Sequence, residues 1–417
     1  MAGEDWPHLP LGELTENLDG RRVPVKEIDR KPGPYPYYGA SGIVDRVDGY
    51  LFDGEYLLIG EDGENLRTRQ TPIAFIATGK FWVNNHAHIV RGNHRANTRF
   101  LSYVLSQTDI SGYLTGSTMP KLTQGNLNRL PVIAPPLAEQ EAIAAVLGAL
   151  DDKIELNRRM NATLEAMARA LFQSWFVDFD PVRAKLDGRP PTDLDSATAA
   201  LFPDSFQDSP LGHVPKGWEV RSLDKIAHYL NGLALQKFPP GDGPTLPVIK
   251  IAQLRKGDTV GADRCNTDLP REYLIQDGDV LFSWSGSLEV ELWCGGSGAL
   301  NQHLFKVSSS EFPKWFYYLW TLYHLDEFRL IAADKATTMG HIQRGHLSAA
   351  KVLIPPRPLL DAMTRIMAPS IERIIANRIQ SCTLATLRDA LLPRLLSGDL
   401  QVKGNMSVYA KRGMAHG

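Results

Sequence analysis

Apolar positions keep one helical face over an unusual length in two stretches of the chain. From Ala138 to Phe176 there is no proline and one glycine, and Leu147, Leu150, Ile154, Leu164, Met167, Leu171 and Trp175 form a stripe. Met367, Ile371, Ile374, Leu384, Leu387, Leu391 and Leu395 form a second. Each predicts a helix of about 40 residues and roughly 60 Å, too long to be stable without a partner along its length. Glu139 and Glu141 place negative charge where the helix dipole favours it. Asn157 and Asn377 interrupt the two stripes at the same point, where a polar residue can set register at a cost in stability. The expectation is an antiparallel pair in which these two residues meet near the midpoint.

The segments before each stripe have a different rhythm. EYLLIG, PIAFIAT and HAHIV in the first half, and DVLFSW and HLFKV in the second, are short β-rich runs broken by Gly and Asn-Gly turns. Phe100 to Gln107 and Lys314 to Phe328 predict short helices at equivalent places.

These two halves are copies. Ser117 to Pro136 (STMPKLTQGNLNRLPVIAPP) matches Thr337 to Pro356 (TTMGHIQRGHLSAAKVLIPP): Thr118, Met119, Gly125, Leu127, Val132, Pro135 and Pro136 recur as Thr338, Met339, Gly345, Leu347, Val352, Pro355 and Pro356, each 220 residues on. At the same offset Asn157-Arg158 recurs as Asn377-Arg378 and Leu164 as Leu384. Upstream, VNNHAHIV (Val83 to Val90) matches LNQHLFKV (Leu300 to Val307) only at a shifted offset. A period this long means a tandem pair of domains, each with its own long helix, and excludes a solenoid. The intervening stretch is rich in Pro, Asp and Ser, as linkers are. The boundaries expected are a first domain at 1–136, a helix at 137–177, a linker at 178–210, a second domain at 211–356, a helix at 357–397 and a tail at 398–417. Pro358 falls in the first turn of the second helix, where proline is tolerated.

Composition narrows the function. The chain is 43% hydrophobic and 22% charged, which excludes general disorder. Its formal charge of −2 argues against a protein that grips DNA unaided, so any phosphate contact relies on local patches or on partner chains. Cys265, Cys294 and Cys382 are far apart, form neither a zinc spacing nor a disulfide framework, and are expected as reduced core residues. No apolar run is long enough for a membrane helix and the start has no leader pattern, so a cytoplasmic protein with no membrane contact is expected.

Catalytic chemistry is not legible. Gly79-Lys80 suggests a phosphate loop, but Ala74 stands where the first glycine belongs and Phe81 where the magnesium-binding hydroxyl belongs. No glycine fingerprint for a methyl donor and no Asn-Pro-Pro-aromatic tetrad for a flipped adenine is present. Asp178, Asp180 and Asp187 fall in the linker and read as solvated charges. Gly286, Ser287, Trp284 and Trp293 could line a small pocket, although aromatics in strands are usually core. No catalytic residue, metal or cofactor is expected.

PYPYYGASGIVD, YLLIGEDG, IAPPLAEQEAIAAVLGALDDKIELNRRMNATLE, LFQSWFVDFDPVRAK, VPKGWEVRSLDKIA and LRDALLPRLLSGDL together resemble the specificity subunits of Type I restriction-modification systems, over nearly the whole chain. The resemblance implies an α+β fold: two sheet-containing target-recognition domains related by pseudo-two-fold symmetry, separated by two long antiparallel helices packed as a coiled coil. It implies a non-catalytic chain that reads an asymmetric, split target in double-stranded DNA. Two modification (methyltransferase) subunits dock on the helices, and restriction subunits join the full complex. Two readers on one spacer must meet one face of the duplex, with half-site centres about 34 Å apart. A scaffold or decoy for a methyltransferase subunit, without DNA reading, is the alternative.

Base edges are read by Asn, Gln, Arg and Lys, and phosphates are held by Lys and Arg. The candidates on plausible loops are Arg67, Arg69, Lys80, Asn84, Asn85, Lys121 and Gln124 in the first domain. In the second they are Lys250, Gln253, Arg255, Asn301, Gln302, His341, Gln343 and Arg344. His86 and His303, at matched positions, are expected as hydrogen-bonded structural residues.

Overall fold

A computed structural model describes residues 6–334 and 340–402, and divides into two compact units, residues 1–153 with 384–417 and residues 154–383. Thr338 and Met339 of the repeat, and the tail beyond residue 402, lie outside the described residues.

Unit 1 is built on a six-stranded sheet. Its strands are β2 (Thr15–Asn17), β3 (Pro32–Gly39), β4 (Gly42–Val47), β5 (Phe52–Gly60), β6 (Ala74–Val83) and β7 (Ala87–Gly92), in the order β2-β7-β5-β6-β3-β4. β5 and β6 form a long hairpin running from Phe52 opposite Phe81 to Ile59 opposite Ala74. Both faces of this sheet are covered, which is why EYLLIG reads as a continuous apolar run and does not alternate. Leu57 and Ile59 pack on the helix Thr98–Gln107 through Phe100, Leu101 and Val104, while Phe52, Tyr56 and Leu58 form a second core with Phe81 and Ile89. Asn97 caps that helix by accepting from the Phe100 N–H at 3.0 Å. A separate pair, β1 (His8–Pro10) with β8 (Pro131–Ile133), closes the unit.

In unit 2, β12 (His228–Asn231), β16 (Val280–Ser283), β17 (Val290–Leu292) and β19 (Leu304–Ser308) are ordered β12-β19-β16-β17. This repeats the order β2-β7-β5-β6. A second sheet of β13 (Thr245–Ile249), β14 (Arg264–Asn266), β15 (Leu274–Ile275) and β18 (Gly298–Leu300), in the order β14-β13-β18-β15, stands where unit 1 has β3 and β4. Two further antiparallel pairs are β9 (Phe206–Ser209) with β10 (Gly212–Pro215), and β11 (Glu219–Ser222) with β20 (Lys351–Ile354). The stretch Lys314 to Phe328 divides at His324 into two helices, Lys314–Tyr323 and Leu325–Asp334. Segment 178–210 is ordered: it carries the helices Asp180–Leu186 and Ser196–Leu201 and buries Val182 and Phe202 in the unit's core. Asp178, Asp180 and Asp187 are exposed.

The long helices span Leu137–Phe176 and Arg357–Leu396. They run antiparallel within each unit. In unit 2, Asn161 meets Ile374 and Asn377, while Asn157 meets Gln380 and Ser381. In unit 1, Asp151 pairs with Arg388 at 2.7 Å, and Leu147 shares a core with Leu392 and Leu395. Asn157 is 0% exposed, and its amide donates to the Asn377 carbonyl at 3.3 Å and the Ser381 hydroxyl at 3.2 Å. Asn377 in turn donates to Asn161 Oδ1 at 2.9 Å. Ser381 is the repeat partner of Asn161 at the 220-residue offset, so the two bonds are equivalent under the duplication. Met367 and Ile374 are buried, and Ile154, Leu164, Leu171, Leu384 and Leu391 are half-buried. Met167 and Leu387, placed on the stripes by spacing, are instead 53% and 45% exposed. A helix drifts against a fixed repeat, so the inward places fall one residue on, at Ala168 and at Arg388. Cys265 and Cys294 are buried core thiols, but Cys382 is exposed, one turn beyond Arg378 on its helix. Among the described residues no helix is long and apolar enough to cross a membrane.

Candidate nucleic-acid interface

In each unit three chain segments converge just past the central strand and are tied by the same backbone hydrogen bonds. Past β5, the Glu61 N–H donates to the His86 carbonyl at 2.8 Å, and the Glu61 carbonyl accepts from the Leu122 N–H at 2.8 Å. Asp62 then bridges to Lys121, and the Gly63 N–H donates to the Pro120 carbonyl at 3.1 Å. Past β16, the Trp284 N–H donates to the His303 carbonyl at 3.3 Å and its carbonyl accepts from the Ile342 N–H at 3.0 Å. Ser285 bridges to His341, and the Gly286 N–H donates to the Gly340 carbonyl at 2.8 Å.

The turn that supplies the histidine is also built twice. Asn84 Oδ1 accepts from the His86 N–H at 2.8 Å, and Asn301 Oδ1 accepts from the His303 N–H at 3.2 Å, an Asx turn in both cases. The histidine ring is pinned next: His86 Nδ1 lies 2.9 Å from Asp62, and His303 Nδ1 lies 3.0 Å from the Ser285 hydroxyl. Four strands, one turn and one loop therefore place Asp62, Asn85, His86 and Lys121 in unit 1 where unit 2 has Ser285, Gln302, His303 and His341.

What lies beneath the frame differs. In unit 1 it is a charged knot: Glu61 pairs with Arg22 at 2.8 Å and Lys121 at 3.2 Å, and the buried His88 bonds Asp19 at 2.6 Å. Burial pushes the Asp19 carboxyl up, but the His88 hydrogen bond and charge, the Ile89 N–H and Arg22 outweigh it and hold the group below its ordinary value. Glu61 is likewise raised by burial and lowered by more through Arg22, His88 and Lys121. Donor atoms of Asp19, Glu61 and His88 lie within 4.8 Å of one another, which invites a metal reading. Both His88 nitrogens are already engaged, by Asp19 and by the Leu122 carbonyl at 2.7 Å, so neither is open to a metal. In unit 2 the frame rests on aromatics. Trp284 donates to Asn231 Oδ1 at 2.9 Å and its ring lies 6.0 Å from His303 and 6.3 Å from His341.

The residues singled out by sequence sort into three groups. Asn85 is exposed on the frame, Gln302 is half-exposed with its amide 3.3 Å from His303, and Lys121 and His341 stand on the facing loop. Gln124 is the first residue of the short helix Gln124–Arg129, and Gln343 is the N-cap of Arg344–Ala349; both helices follow the facing loops. Arg344 lies over the Phe305 ring at 5.8 Å and donates to the Tyr229 carbonyl at 3.3 Å. Asn84 and Asn301 are buried and occupied by the turn. The remaining candidates stand elsewhere, held by local partners. Arg69 adopts a left-handed backbone and caps the carbonyls of Ser106 and Thr108, and Arg67 donates to Gly116 at 3.1 Å. Lys80 lies in mid-strand over the Tyr50 ring at 4.7 Å, opposite Asp53, so Gly79-Lys80 is strand and not a phosphate loop. Lys250 pairs with Asp263, Gln253 accepts from the Lys250 N–H at 3.3 Å, and Arg255 pairs with Glu289 at 3.0 Å. Sequence reasoning missed Asp62, Ser285 and Glu61, and placed Trp284 in a candidate small-molecule pocket and not beneath the frame. The shifted match of VNNHAHIV to LNQHLFKV aligns the two turns but contains none of these residues, which lie just past the ends of β5 and β16.

Comparison with known proteins follows the same duplication. The family model for the Type I restriction modification DNA specificity domain matches twice, at residues 3–166 and 215–380. The chain is 28% identical to the Type I restriction enzyme MjaIX specificity subunit of Methanocaldococcus jannaschii, covering 96% of this chain and 94% of that one. It is 24% identical to the Type I restriction enzyme HindI specificity subunit of Haemophilus influenzae, over 95% of this chain and 100% of that one. Its fold matches the crystal structure of the Type I restriction-modification S subunit from M. genitalium with a TM-score of 0.59 at 13% identity, over 95% and 99% of the two chains.

Proposed function

The chain belongs to the Type I restriction modification DNA specificity family, and on that premise we propose that each of its units reads one half of an asymmetric, bipartite DNA target. The observation that carries this reading is one backbone frame built twice with different side chains. A duplicated frame supports two similar acts of recognition, and unlike side chains support two different sequences. The paired long helices set the gap between half-sites, and two modification subunits dock on them and transfer the methyl group to adenine. Restriction subunits join that assembly in the cytoplasm. The chain itself is the non-catalytic, sequence-choosing component and needs no cofactor. Its near-neutral charge fits this division of labour, since phosphate contacts can come from the partner chains.

The test is co-expression with the modification subunits, followed by mapping of methylated adenines across genomic DNA with and without this chain. A split motif that appears only in its presence is the expected result. A modification complex that forms but methylates the same sites without it would leave a scaffold and overturn the reading.

A further inference from the structure

Resting on that reading, we propose that the carboxamides of Asn85 and Gln302 are the base-reading groups of the two half-sites, and that Lys121 and His341 hold the adjacent backbone phosphate. These four residues occupy two matched positions on the frame. Asn85 and Gln302 sit between an asparagine whose side chain makes the turn and a histidine whose ring is bonded to the neighbouring loop. Between them Asn85 is exposed and Gln302 half-exposed, with its amide nitrogen 3.3 Å from His303 Nε2 and a second N–H beside its carbonyl, and the backbone beneath each is pinned from both sides. Such pinning is what recognition needs, because a bidentate contact tolerates little positional error.

The chemistry at the position is the same in both copies. Each presents one N–H donor beside one C=O acceptor, the arrangement that pairs with N7 and the N6 amino group of adenine in the major groove. The two differ by one methylene, so one frame reaches to two depths. On the facing loop, Lys121 is half-exposed and steadied by Glu61 at 3.2 Å, and His341 bridges to Ser285. The Lys121 ammonium, and at the matched place a ring N–H of His341, meets the strand flanking the base that the amide reads.

The experiment uses the full chain in complex with its modification subunits, once the wild-type target is mapped. Binding to the target duplex is compared with binding to duplexes altered in one half or in both. Asn85→Ala is expected to weaken cognate binding about ten- to a hundredfold and to relax discrimination in one half only, and Gln302→Ala to do so in the other. Lys121→Ala should weaken target and random duplex alike and lower the salt dependence by about one phosphate. Unchanged melting of the variants separates loss of contact from loss of fold, and Asn85→Asp, which keeps the shape but removes the donor, should behave like Asn85→Ala. If the wild type reads a split target while Asn85→Ala and Gln302→Ala keep full discrimination in both halves, this assignment fails and the specificity function stands. If the wild type shows no preference between target and random duplex, the function itself fails and this assignment with it.

Discussion

The two units share a four-strand core and a recognition frame, yet each holds its long helices by different physics. In unit 1 the helix Thr98–Gln107 shares an aliphatic core with Ile143, Ala144 and Leu147 and adds polar ties to the long helix: Arg99 pairs with Asp152 at 3.2 Å as well as with Glu55 of β5 at 2.8 Å, and the Tyr103 hydroxyl donates to Asp151 at 2.5 Å. In unit 2 the equivalent helix Lys314–Tyr323 docks through rings. Trp315, Phe316 and Trp320 pack on Phe176 of the first long helix at 5.6 to 6.2 Å between centroids. Trp315 also donates to the Thr364 hydroxyl at 3.0 Å. A third anchor belongs to the second copy of the long helix: Arg378 joins Glu165 at 3.0 Å, Glu291 at 2.9 Å and the Leu292 carbonyl at 3.0 Å, whereas Arg158, its repeat partner on the first long helix, is 71% exposed and pairs with Glu155. The lesson is that duplication preserved the backbone that presents side chains and left the means of attachment free to diverge, because any sufficient burial or pairing serves to attach.

The comparison can be broken most severely at the first position inside the docking helices. Trp315→Ala should cost unit 2 about 4 kcal/mol through the cavity it leaves, while Arg99→Ala, at a partly solvated pair, should cost unit 1 less than about 1 kcal/mol. Chemical denaturation followed by hydrogen exchange, resolved by peptide, would show both values; equal losses would end the contrast. Next, Arg378→Met should cost about 3 kcal/mol, because it strands Glu291 and Glu165 in a half-buried site, and Arg158→Met less than about 0.5 kcal/mol.

Acid should separate the units by sign. Asp19 and Glu61 are held below their ordinary values, so their contribution is present above about pH 4 and is lost as pH falls through the lowered folded-state values. Glu291 is raised by burial, against the pull of Arg378, so protonating it relieves unit 2 as pH falls towards its ordinary value. Exchange rates measured from pH 6 to 3 should rise first in peptides of unit 1 around Asp19, Glu61 and His88. Earlier opening around Glu291 would contradict the assignment. The smallest effect is expected in the seam, where Asn157 Oδ1 is buried without a partner. Replacing Asn157 and Asn377 with Leu should raise stability by about 1 kcal/mol and loosen register, seen as a higher melting temperature with faster exchange in the helix centres.

The long helices, the duplication and the β-rich character of both domains were legible in the chain itself. Each is a local or repeated property: a missing proline, a stripe at helical spacing, a run recurring 220 residues on. Arg69 and Lys250 were plausible DNA contacts on the same basis, since a cation in a loop looks alike whether it faces water or a carboxylate. Their partners lie beyond the local pattern, 37 residues away for the Ser106 carbonyl that holds Arg69 and 13 for the Asp263 that pairs with Lys250, and no periodicity records them. Tertiary structure alone also revealed that Glu61 and Trp284 do one job. The bonds that define the frame run through N–H and C=O groups which every such residue carries, so selection on the frame leaves almost no mark on side-chain identity. The sequence determined the rods and the doubling, because these rest on periodicity; the packing decided which polar groups are spent inside and which stay free to meet another molecule.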